Sequence, residues 1–206
     1  MTGYQWFSIL ALGVCLLSAA WHFIRLVRLG KPEDFSLASG KENPAIVYSF
    51  TGAMSPAKKE SAFLHLPTYS AGLIYHLGTF AAIFLYFLAL AGLISQTGIF
   101  YAGVFLLLLS FGCGVGIFIK RLVKPGLREL SSPDDYISNI LVTLFQLATV
   151  FVIMIPSTAP VYYLLTGILF LYFPLGKLKH AVYFFAARYH LGIFFGHRNV
   201  WPPKLL

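Results

Sequence analysis

Acidic side chains are scarce in this chain: 7 Asp and Glu stand among 206 residues, and Asp, Glu, Lys and Arg together make up only 11%. A soluble domain of this length needs more charge to face water, and 58% hydrophobic residues with a mean hydropathy of +0.78 leave too much apolar area for such an exterior. A water-soluble fold is excluded. Cysteine is nearly absent too. Cys15 and Cys113 both fall in apolar runs and neither belongs to a Cys-x-x-Cys-His pattern, so thioether attachment of a cofactor is excluded and both read as packing residues. No basic residue precedes the first apolar run. A secretory signal has a positive n-region and a small-residue cleavage site, so this run is expected to stay as a helix. No apolar run carries an acidic side chain or a clear break, which argues against a transporter or channel.

What the chain does have is long apolar runs, at residues 5–24, 68–94, 99–119, 136–155 and 159–178. About 20 apolar residues cross the hydrocarbon as a helix, so the expectation is an all-α integral membrane bundle of five transmembrane helices. One membrane domain covers 1–206, with a cytoplasmic loop at about 27–66 and a cytoplasmic tail at about 180–206. The Lys and Arg residues fall in three places: from the end of the first run through the loop, at 120–128, and from Lys177 onward. The connections at 95–98 and 156–158 and the N-terminal segment carry no charged side chain. The positive-inside rule then puts the N-terminus outside and the C-terminus in the cytoplasm, as a multi-pass protein of the cell's inner, cytoplasmic membrane. The acids lie on that inner side as well. A net charge of +8 reads as topology and attraction to anionic membrane lipid, with no nucleic acid implied. An aromatic share of 17% fits lipid-facing and interfacial rings.

Two stretches organise the chain: Tyr75-His76-Leu77-Gly78, and Phe173-Pro174-Leu175-Gly176-Lys177-Leu178-Lys179-His180. An ionisable side chain at membrane depth is expected to face the bundle interior with a partner or a task. Two facing neutral imidazoles make a clamp for a haem iron; the alternative is a pair of hydrogen-bonded packing residues. His76 lies about 13 Å inside the helix start marked by Pro67, at about 1.5 Å per residue, and His65 reads as interfacial. Gly112-Cys113-Gly114-Val115-Gly116 admits a close neighbouring backbone or a flat ring. The loop, with its Ser55-Pro56-Ala57-Lys58-Lys59-Glu60 turn, is long enough to be functional or partner-bound, or else it is solvated chain. Ser132-Pro133-Asp134-Asp135 has the order of a helix start, with proton chemistry or metal binding as the other use of two adjacent acids.

The basic run, Ser131-Ser132-Pro133-Asp134-Asp135-Tyr136, the two apolar spans after it, the second closing on Phe-Pro-Leu-Gly-Lys-Leu-Lys-His, and the tail Gly196-His197-Arg198-Asn199-Val200-Trp201-Pro202-Pro203 occur in this order over nearly the whole chain. In that order the chain resembles the cytochrome b (gamma) subunit family of respiratory nitrate reductase. It is more similar still to the membrane cytochrome b relatives in sulfite-reductase-linked and heterodisulfide-reductase-like complexes. The resemblance implies five membrane helices, an outside N-terminus, and electron transfer between membrane quinone and a cytoplasmic iron-sulfur subunit through bis-histidine b haems.

Carried over by position, the resemblance assigns His76 and His180 as axial ligands of one haem b near the cytoplasmic side. The second haem's ligand positions fall on Tyr86 and Tyr162, replaced together, which implies that one whole haem is lost. His22 lies at a compatible depth and could replace either ligand. Lys177, Lys179 and Arg25 are candidates for propionate contacts, or ordinary basic anchors. Electron transfer is thus expected within a quinone-linked complex, the chain not being a self-sufficient enzyme; the alternative is a haem-free membrane anchor that recruits a soluble redox subunit. For quinone, His22, Asp134 and Asp135 offer proton acceptors on the inner side, and Tyr86 and Tyr162 form the alternative outer site.

Overall fold

The computed structural model describes residues 1–30, 34–55, 65–94 and 98–203. Most of the Ser55 to Glu60 turn, residues 95–97 of the second connection and the last three residues of the tail lie outside the described residues. Among the described residues the chain is all-helical, with α1 (Gly3–Leu29), α2 (Glu42–Phe50), α3 (Leu66–Leu90), α4 (Gly98–Val123), α5 (Pro125–Glu129), α6 (Pro133–Met154), α7 (Ala159–Tyr172) and α8 (His180–His197). Four of these, α1, α3, α4 and α6, are long and apolar enough to cross a membrane, or five spans if the bent pair α7 and α8 counts as one broken span. The chain is a multi-pass membrane protein.

The fifth span departs from expectation. A continuous helix over 159–178 is not formed: α7 stops at Tyr172, and the chain turns through Pro174 and Gly176 before a 3-10 turn at Lys177–Lys179. Pro174 supplies no amide hydrogen, and Gly176 lies so close to its neighbours that a Cβ there would stand 2.5 Å from the Tyr172 ring. The residues expected as a tail contain helix α8, and the first loop likewise contains helix α2.

The chain divides into two compact units. The first comprises Met1–Cys15 and Leu66–Leu178. Here α3 packs on α4, and α6 packs on α3, α4 and α7. Close packing depends on small residues: a Cβ on Gly114 would stand 2.5 Å from the Tyr75 ring and 2.6 Å from Thr143 Oγ1. Without a hydrophobic drive between helices in lipid, such approaches and interhelical hydrogen bonds hold a bundle together. Leu73, Leu77, Phe80, Phe84 and Phe87, spaced three or four apart on α3, are exposed and form a lipid-facing stripe. Helix α6 starts as its sequence proposes. The Ser132 backbone amide and hydroxyl donate to Asp135 Oδ2 at 2.9 and 3.0 Å, closing a capping box with Pro133 in the first turn.

The second unit comprises Leu16–His65 and Lys179–Leu206. Its centre is the crossing of α2 and α8. Ala45 and Ser49 on α2 are fully buried; Ala45 meets Gly196 on α8, and the neighbouring Ile46 meets Gly192. A Cβ on Gly192 would stand 2.5 Å from Ile46 Cα, and one on Gly196 2.7 Å from Ala45 Cβ. Small residues four apart on both helices thus bring the backbones together, and Ser49 Oγ donates across to the Arg188 carbonyl at 2.8 Å. Helix α8 closes in a Schellman motif: Val200 N donates to Phe195 O at 2.9 Å, Asn199 N to Gly196 O at 3.0 Å, and Asn199 takes the left-handed conformation at φ 54. The segment before α2 is tied to this end. Asp34 accepts from the Ser36 hydroxyl and amide and pairs with Arg198 at 2.9 Å. The Ser36 bonds, followed by Arg198, hold its carboxyl at about 2, below the ordinary value of 3.8.

Candidate functional site

Helix α3 turns Tyr75, not His76, into the first unit. Tyr75 OH donates to the Asn139 carbonyl at 3.1 Å and bonds the Thr143 hydroxyl at 3.0 Å, while His76 is exposed. Adjacent helical residues point about 100° apart, so only one of the two can take the interior position. Gly72, one turn before His76, has open space at its Cβ position. His180 opens α8 in the second unit and is also exposed.

One basic and one acidic candidate, Lys177 and Asp135, are engaged with each other. Lys177 Nζ lies 2.6 Å from both oxygens of Asp135, and Arg121 reaches the same carboxylate at 2.7 Å. Asp135, almost wholly buried, is therefore a helix cap neutralised by two cations. Asp134 accepts from the Tyr172 hydroxyl and from Ser138 Oγ. Arg25, His22 and Lys179 belong to the second unit; Arg25 is exposed, and His22 and Lys179 are half-buried.

Tyr86 and Tyr162 are both buried in the first unit, with ring centroids 6.4 Å apart and Phe145, Tyr163 and Phe170 around them. No flat cofactor fits between rings in that contact. The Tyr86 hydroxyl is paired with Ser8 Oγ at 3.0 Å. The Tyr162 hydroxyl makes no hydrogen bond among the described residues, although the Thr149 hydroxyl, which donates to the Phe145 carbonyl at 2.8 Å, stands nearby.

Sequence reasoning missed the polar column to which Tyr75 belongs. Asn139, Thr143, Gln146 and Thr149 recur three or four residues apart along α6, and the first three meet α3 and α4. Gln146 Nε2 donates to Thr79 Oγ1 at 2.9 Å and to the Tyr75 carbonyl at 3.2 Å, where Ser110 Oγ also donates. Gln146 Oε1 is left without a partner among the described residues. The spacing of these polar residues in an otherwise apolar run was the available signal. His190 was missed as well. It lines a cavity of about 360 Å³ in the second unit, and its Nε2 meets the Leu26 carbonyl at 3.3 Å.

No group of three or more His, Cys, Asp or Glu side chains could hold a metal ion among the described residues. Any metal centre would then need ligands brought by a cofactor, as a haem's macrocycle brings its four nitrogens. No protein-family model matches the chain, and no curated protein and no solved structure matches it either.

Proposed function

We propose that the chain is the haem b-containing membrane subunit of a respiratory oxidoreductase complex, passing electrons between quinone in the cytoplasmic membrane and a cytoplasmic iron-sulfur subunit. The observation that carries this reading is the contrast between two pairs of positions. His76 and His180 are exposed, and the open Gly72 position leaves room for a flat macrocycle beside His76. Tyr86 and Tyr162 are packed onto each other, which supports one haem and not two. When bound, the haem supplies the one-electron chemistry. His76 and His180 would hold its iron, and Lys179 and Arg25 would pair with its propionates, since Lys177 is held by Asp135. By charge topology, the first loop, the basic segment at 120–128 and the residues from His180 onward are the segments offered to the iron-sulfur partner.

A haem-free membrane anchor is the second reading, favoured by the outward position of His76 on its own unit. Pyridine haemochrome measured against protein decides between them. About one haem per chain, lost in His76→Ala and in His180→Ala, is expected. Two haems, or full haem in either variant, overturns the ligand assignment, and none in the native protein leaves the anchor.

A further inference from the structure

The second unit holds a cavity of about 360 Å³ between the end of α1 and one face of α8, with Leu26, Leu29 and Gly30 on one side and Tyr183, Ala187 and His190 on the other. We propose that this cavity binds the head group of a membrane quinone or quinol, with His190 as its hydrogen-bonding anchor. The inference rests on the quinone-linked reading above and names the site, which that reading does not.

The imidazole is oriented before any ligand arrives. A carbonyl oxygen only accepts, so Nε2 carries the hydrogen in its contact with the Leu26 carbonyl, and in that tautomer Nδ1 is the acceptor. Gly30 stands against the same Nε2 edge of the ring. Any Cβ at that position would collide with the His190 imidazole, so glycine there leaves a slot that the ring fills. The other lining groups are apolar except for the Tyr183 hydroxyl, a second hydrogen-bonding group on the same face of α8, two turns away.

This combination selects the ligand class. The volume lies at the small end of ligand pockets, which run from about 300 to 1,000 Å³, and suits one or two flat rings. Leu29 and Tyr183 are exposed at the rim, so a long apolar tail can leave toward lipid. A phospholipid acyl chain would fill the apolar part and leave the oriented imidazole without a partner, whereas a quinol hydroxyl donates to Nδ1 and its ring lies on Leu26 and Ala187.

The test is photolabelling of the purified holoprotein in detergent with a short-chain azido-quinone, with the labelled peptides mapped and haem absorbance per chain recorded on the same samples. Label is expected on 22–30 and 183–190, displaced by unlabelled short-chain quinone. It should fall at least ten-fold in His190→Leu and in Ala187→Phe, which plugs the cavity from an exposed position, with helical circular dichroism unchanged. Label elsewhere, label undiminished in both variants, or displacement by phospholipid but not by quinone overturns the site. A native preparation without haem overturns the electron-transfer reading instead, and the labelling pattern still decides whether this cavity takes quinone.

Discussion

Tyr86 and Tyr162 differ by one hydrogen bond, and that difference has a measurable sign. Both rings fill the same aromatic cluster, but only the Tyr86 hydroxyl is paired, with Ser8 at 3.0 Å. A buried polar group without a partner costs about 1–3 kcal/mol, while a made bond contributes roughly 1 kcal/mol. Tyr162→Phe should therefore stabilise the protein by about 1 kcal/mol, and Tyr86→Phe should destabilise it by a similar amount by removing the bond to Ser8, whose own hydroxyl keeps the Gln5 carbonyl as its acceptor. Thermal unfolding in detergent followed by circular dichroism reads both; equal losses in the two variants would show that the Tyr162 hydroxyl has a partner after all. The inward residue of α3 was not legible beforehand. A membrane helix is apolar on nearly every side, so hydropathy carries no phase, and His76 drew notice as an ionisable residue although Tyr75 has the interior partners.

At the scale of elements, the α2–α8 crossing is set by glycine. Gly192→Val places branched atoms where a Cβ already stands 2.5 Å from Ile46 Cα, and backbone cannot step aside as a flexible side chain can. Overpacking of this kind typically costs about 1–3 kcal/mol, and about 2 kcal/mol or more is expected here. Gly112→Ala on α4, where nothing lies within 4 Å, should instead gain about 0.5–1 kcal/mol through helix propensity. Guanidinium or sodium dodecyl sulfate unfolding of both variants checks the contrast, and no loss in Gly192→Val would mean that the crossing is loose. The capping box of α6 was legible because Ser132, Pro133 and Asp135 act within one turn. The α2–α8 pair was not. Lys177, Lys179, His180 and Arg188 dilute the hydropathy around α8, and its glycine spacing has meaning only against a helix far away in the chain.

For the whole molecule, the number of apolar runs was nearly right and their continuity was not, because Pro174 and Gly176 break the last one where average hydropathy still runs on. Orientation rests on charge alone and has a direct test. If the N-terminus is outside, Leu37→Cys, almost fully exposed in the first loop, should react with a membrane-impermeant maleimide only after cells are opened, and Ser157→Cys in the turn after α6 should react in intact cells. The opposite pattern reverses the topology. The crossing of α2 and α8 also has a consequence for how the protein is made. Helix α2 leaves the ribosome early, but Gly192 and Gly196 emerge more than a hundred residues later, a delay on the order of ten seconds at cellular elongation rates. Until then the Ala45 and Ser49 surface waits without its mate, so every nascent or prematurely terminated chain displays a mark of incompleteness that quality-control proteases can read, and only finished chains conceal it.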